Sequence, residues 1–148
     1  MNGASQTSGA VVTRLVDAIN AHDLETMVGL FADDFVNETP AHPHRGFQGN
    51  QHVRRNWSQI FAGAPDLRAW LPRMVVDGDT VWAEWDLTGT RPDGAAFVMR
   101  GVSIFGVSRN RLAWVRFYLE PVEDTSGGHE RHIGQMMGPG TGGTGVRS

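Results

Sequence analysis

Carboxylates, histidines, arginines, hydroxyls and a single tyrosine are the only groups with which this 148-residue chain could move protons or attack a substrate, because it contains neither lysine nor cysteine. All thirteen basic side chains are arginine. That double absence excludes lysine Schiff bases, P-loops, thiol nucleophiles, disulfide frameworks and cysteine-ligated zinc. Histidine offers two short constellations: His42-Pro43-His44, with one residue between the imidazoles, and His129 with His132, spaced for one helical face. A zinc-type site needs three or four converging ligands. No carboxylate or cysteine at fixed spacing completes either set, so no metal is expected, and His42 is read as a loop residue able to touch a substrate.

Sixteen acidic residues against the thirteen arginines leave a net charge of −3. The broad basic surface required for nucleic-acid binding is missing, and that class is set aside. No apolar run approaches the roughly 18 residues of a membrane span. Met1 to Gly9 lacks the charged and apolar regions of a signal peptide, so a cytoplasmic location is expected. The glycosylation-type triplets Asn37-Glu38-Thr39 and Asn56-Trp57-Ser58 are then chance matches.

The elements that would position any site follow from hydrophobic spacing. All Phe, Trp and Tyr residues lie between Phe31 and Tyr118, whereas Gly138 to Ser148 holds five glycines and only Val146 as a sizeable apolar side chain. A segment of that kind cannot bury enough surface to offset its ordering entropy. Residues 1–9 read as a disordered start, 10–123 as the domain, and 124–148 as a flexible tail in which 129–137, with Ile133, Met136 and Met137, could fold back as a lid. Val12, Leu15, Val16 and Ile19 mark a first helix, Asp23 caps a second, and Asn50–Phe61 forms a third that ends at Gly63-Ala64-Pro65. After Pro65 the period becomes two. Runs at 67–76, 80–90, 95–107 and 111–121, separated by Asp77-Gly78-Asp79, Arg91-Pro92-Asp93-Gly94 and Ser108-Arg109-Asn110, predict a four-stranded antiparallel meander. A short strand at 35–39 could join it. Three helices followed by long hairpins describe an α+β domain whose curved antiparallel sheet wraps the helices.

Five segments carry a family resemblance: AINAHDLETMVGLFADDFVNETP, RGFQGNQHVRRNW, DGDTVWAEWDLTGTRPDG, MRGVSIFGV and WVRFYLEPVE. Over about residues 10–123 the chain resembles the nuclear transport factor 2-like superfamily, and within it the SnoaL-like group of polyketide cyclases, ketosteroid isomerases and limonene-type epoxide hydrolases. The resemblance implies a cone with a central cavity, no cofactor, and a homodimer. Apolar character on both strand faces points to a dimer as well.

The resemblance also implies site residues. In the second long strand, hydrophobicity alone places Val81, Ala83, Trp85 and Leu87 inside. The epoxide-hydrolase relatives instead point an Arg and an Asp inward at the positions matching Glu84 and Asp86, and the resemblance therefore assigns these two to the cavity. By the same comparison Glu38 stands where those relatives carry an Asn, and Val36 where they carry a Tyr. Phe97, Met99, Ser103 and Phe105 of the third strand and Val115, Phe117 and Leu119 of the last are expected inside. Val115 and Phe117 occupy positions where many relatives hold a His and Asp pair.

Asp86, Glu84 and Glu38 are thus the expected catalytic acid/base groups. Phe35, Trp57, Phe97, Met99, Phe117, Leu119 and His42 are expected to bind the substrate. Like-charged carboxylates buried together would raise at least one pKa toward neutrality, as a general acid requires. Each has a structural alternative: Glu84 and Asp86 on an exposed face paired with Arg100 or Arg116, and Glu38 as a cap of the Thr39-Pro40 turn. Arg116, Tyr118 and Glu120 share a face suited to surface or dimer contacts. Two functions remain open: a cofactor-independent enzyme for a small, mostly apolar molecule (epoxide hydrolysis, cyclisation or isomerisation), or a non-catalytic ligand-binding or structural dimer.

Overall fold

The structure, a computed structural model, describes residues 2–123 and 128–138. Helix α1 (Asn2–Ala21) opens the chain, followed by α2 (Leu24–Gly29) and strand β1 (Phe31–Glu38). A single 3-10 turn (Pro43–Arg45) and β2 (Phe47–Gln48) lead into α3 (Asn50–Gly63). Strands β3 (Arg68–Asp77), β4 (Thr80–Thr90), β5 (Ala96–Ser108) and β6 (Arg111–Phe117) form the expected meander, with β7 (Glu120–Pro121) and α4 (His129–Met137) beyond it.

Val11, Val12, Leu15 and Ile19 are buried on one face of α1, which packs on β3 and β4. Asn20 extends that contact by hydrogen bonding. Its Nδ2 donates to the Ala69 carbonyl at 3.0 Å and its Oδ1 accepts from the Ala69 N–H at 2.7 Å. The side-chain amide satisfies backbone groups of an edge strand that would otherwise be open. Asp23 caps α2 as its position predicts, accepting from the Thr26 N–H at 3.1 Å. The helix starts earlier than expected, because Ser8 is buried and Gly9 sits against Val76 of β3. Packing thus orders part of the segment that composition assigns to a disordered start. The expected tail falls largely at 124–127 and 139–148, which lie outside the described residues. Within it, α4 exposes Ile133, Met136 and Met137.

The sheet order is β2-β1-β6-β5-β4-β3, with β7 paired to β5 past the end of β6. All these pairs are antiparallel except β1 with β6, which is parallel, so the sheet is mixed and not purely antiparallel. The whole of α3 and four strands separate β1 from β6, and a connection of that length permits a parallel pairing that no hairpin could make. Two residues mark irregular points of the sheet. Pro72, which has no N–H, sits in the irregularity of edge strand β3 between Trp70 and Arg73. Gly101 has φ +149°, and a Cβ there would overlap the Tyr118 carbonyl, so only glycine lets the chain cross so closely where β6 gives way to β7.

Candidate functional site

Side-chain alternation sorts the long strands into two faces. On the concave face Val81, Ala83, Trp85 and Leu87 of β4 are all buried, opposite Phe105, Ser103, Gly101 and Met99 of β5. Ser103 and Phe105 stand opposite Phe117 and Val115 of β6. With α1, α2, α3 and β1 these strands enclose a cavity of about 80 Å³. Its wall is largely hydrocarbon and aromatic, including Leu15, Ile19, Phe31, Phe35, Phe47, Trp57, Trp85, Phe105, Val115, Phe117 and Leu119. The rings interlock: Phe31 meets Phe35 edge-on with centroids 4.7 Å apart, and Trp57 meets Phe61 at 5.6 Å.

Among the described lining residues, Asn37, Ser103 and the indoles of Trp57 and Trp85 carry side-chain nitrogen or oxygen. Trp85 Nε1 donates to Ser103 Oγ at 2.6 Å, and Asn37 Nδ2 donates to Thr39 Oγ1 at 3.2 Å. None of the lining residues is titratable.

Of the expected substrate-binding residues, Phe35, Trp57, Phe117 and Leu119 line the cavity. Phe97 and Met99 do not; they pack against the hydrophobic core further along β5. His42 also stays off the cavity wall. Its Nε2 lies 2.8 Å from Glu120 Oε2, an ion pair when the imidazole is protonated, and so ties the loop after β1 to β7.

The three expected catalytic carboxylates do not converge in the cavity. Glu84 and Asp86 share the opposite face of β4 with Trp82, where Glu84 Oε1 lies 4.0 Å from Arg73 Nε and Asp86 Oδ1 lies 3.4 Å from Arg100 Nε. Glu38 pairs with Arg116 at 2.8 Å on the same outer side. The orientation taken from the epoxide-hydrolase relatives is therefore corrected by one residue. Inward carboxylates on β4 would have to be stripped of water while Trp85 and Leu87 faced solvent, and both changes cost several kcal/mol. In β1 the same slip replaces Glu38 by Asn37. Alternation from Phe35 would have found Asn37, and the apolar set of β4 would have found Trp85 and Leu87.

The outer charges are held by local bonds. The Arg116 guanidinium is pushed above its ordinary value, first by the Tyr118 hydroxyl and then by Glu38. Near the start of α3, Arg54 pairs with Glu25, which holds that carboxyl below its usual range.

A family model described as the SnoaL-like domain matches residues 12–115. The chain belongs to the SnoaL-like family. Its solved relatives include a Kribbella flavida protein provisionally named a ketosteroid isomerase, at 20% identity over 86% of this chain and 87% of that one, with a TM-score of 0.65. A Mycobacterium tuberculosis LEH-like epoxide hydrolase shares 16% identity over 78% and 84%, TM-score 0.68. A second M. tuberculosis protein, in complex with estradiol-17β-hemisuccinate, shares 20% over 76% and 92%, TM-score 0.67. Identities this low establish a common fold. No curated protein matches the sequence. As a SnoaL-like protein, the chain sits in the nuclear transport factor 2-like superfamily expected from its segments, a family of ligand-binding, isomerase, cyclase or hydrolase type. Its cavity is lined without a carboxylate or imidazole.

Proposed function

We propose that this SnoaL-like protein binds a small, mostly apolar organic molecule in the cone cavity and acts as a binding member of the family, not as a carboxylate-driven acid/base enzyme. One observation carries the reading: the cavity wall contains no titratable side chain, and Glu38, Glu84 and Asp86 are paired with arginines on the other face of the sheet. Apolar walls with a few neutral polar atoms favour transfer of hydrocarbon from water and have no group to exchange a proton with it. The relative in complex with a steroid ester is consistent with apolar ligands in this fold. Size argues for something smaller than a steroid, since about 80 Å³ is below the ~150 Å³ of an engineered cavity that takes up benzene.

The test is titration with small cyclic hydrocarbons and ketones, followed by the fluorescence of Trp57 and Trp85 and by calorimetry. Saturable binding that Phe117→Trp abolishes by filling the cavity supports the reading. Turnover of an epoxide or enolisable ketone that Asp86→Asn removes would overturn it.

A homodimer through the outer sheet face accompanies this proposal. Trp70, Trp82 and Trp114 are 61%, 50% and 37% exposed and stand on that one face. Arginines and carboxylates alternate among them, so the face is self-complementary, as an isologous contact requires. Light scattering of the wild type should give the dimer mass and Trp82→Arg the monomer mass. A monomeric wild type at tens of micromolar, roughly the range in which such contacts persist, would refute it.

A further inference from the structure

The hydrogen bond between Trp85 and Ser103 leaves one donor unspent. Ser103 is 2% exposed and lines the cavity. Its Oγ accepts from the indole N–H at 2.6 Å, which uses a lone pair and not the hydroxyl hydrogen. Among the described residues that hydrogen has no acceptor. Ser103's two cross-strand partners on the concave face, Ala83 and Phe117, present only hydrocarbon. A buried O–H without an acceptor is costly, so the site is completed by an acceptor that comes from elsewhere.

We propose that Ser103 is the ligand-recognition residue of the cavity, its hydroxyl donating to the carbonyl oxygen of a small apolar ketone, aldehyde or ester. The inference rests on the binding reading above and adds the ligand's chemical class. A carbonyl matches the site because it only accepts. The indole strengthens the match, because a hydroxyl whose oxygen already accepts a hydrogen bond is polarised into a better donor. Trp85 is thus a positioning residue: it holds the Ser103 rotamer from the neighbouring strand, and Ser103 makes the contact.

The experiment compares cyclopentanone with methylenecyclopentane, its hydrocarbon isostere, by calorimetry, and records the infrared carbonyl stretch of bound carbon-13 ketone. Wild type is expected to prefer the ketone by about fivefold to tenfold, the worth of one hydrogen bond, and to lower the stretch frequency. Ser103→Ala should bind both probes equally, at the wild-type affinity for the hydrocarbon, with the stretch returned to its value in an apolar solvent. Trp85→Phe keeps the Ser103 hydroxyl but removes the indole that positions and polarises it, and should narrow the ketone preference and the lowering of the stretch without abolishing either, which tests the assignment even where Ser103→Ala fails to fold; values unchanged from wild type would overturn the positioning role of Trp85. Equal affinities in wild type, or the same carbonyl frequency in wild type and Ser103→Ala, overturn the role of Ser103 while leaving the cavity a binding site. Failure of both probes to bind overturns the two readings together.

Discussion

Asp86 and Arg100 face each other across the β4–β5 ladder, with Oδ1 and Nε 3.4 Å apart on the side of the sheet that turns away from the cavity. Exposed pairs of this kind contribute no more than ~1 kcal/mol. Asp86→Asn, Glu84→Gln and Glu38→Gln are therefore expected to move the urea midpoint only slightly and to leave cavity binding within about twofold, since they act on the far face. A tenfold loss of ligand affinity in any of the three would show that the carboxylate reaches the cavity after all.

Trp114 lies over Gly106 on the outer face, its indole occupying the space where a side chain at 106 would start. Gly106→Ala should therefore cost ~1–3 kcal/mol, the usual penalty for overpacking. The same substitution made in a Trp114→Ala background should cost much less. Denaturant unfolding of the four proteins measures the coupling, and equal costs in both backgrounds would rule out the indole as the obstacle.

Val115 is buried in the cavity wall. In Val115→Asp the new carboxyl would sit among hydrocarbon, and burial would raise its pKa, by up to ~3–5 units for a fully buried group. Above the unfolded value near 3.9 the unfolded chain ionises and the folded one does not. The stability deficit relative to wild type should widen as pH rises from about 4 to 7. A deficit independent of pH would mean that water reaches this part of the cavity.

Asp66 joins the turn after α3 to the end of β4, accepting from the Thr90 hydroxyl and the Thr90 N–H, both at 2.8 Å. Those bonds hold its carboxyl below the ordinary value of 3.8, the side-chain bond from Thr90 contributing most. A depressed folded pKa stabilises above the unfolded pKa and loses that contribution as pH falls through the folded one. The difference in melting temperature between wild type and Asp66→Asn should thus hold at neutral pH and close in acid below the ordinary carboxylate range. Calorimetry across that range checks it; a difference that persisted at the acid end would assign the effect to something other than ionisation.

Much of this protein can be read from residue order alone. The change of period after Pro65, the Asp-Gly and Pro-Asp-Gly turns and the capping Asp23 determine three helices and then a meander, since these are local preferences that need no distant partner. The absence of lysine and cysteine bounds the chemistry. For the last strand the orientation came from the family resemblance, and Val115, Phe117 and, just past β6, Leu119 all line the cavity.

Glu84 and Asp86 mark where that reading stopped. A period of two divides β4 into two sets without naming the inner one, and a one-residue slip exchanges every side chain between the faces. Composition favoured Trp85 and Leu87, the resemblance favoured the carboxylates, and tertiary packing decided for composition because the cavity gains from burying hydrocarbon and loses from stripping water off charge. Non-local pairings were equally out of reach: β1 lies parallel to β6, His42 reaches Glu120, and Trp85 spends its N–H on Ser103. The sequence by itself determined which elements form and what chemistry they lack. Only the folded chain decided which side chains meet in the cavity, because that depends on the register between strands far apart in sequence and on the desolvation each face must bear.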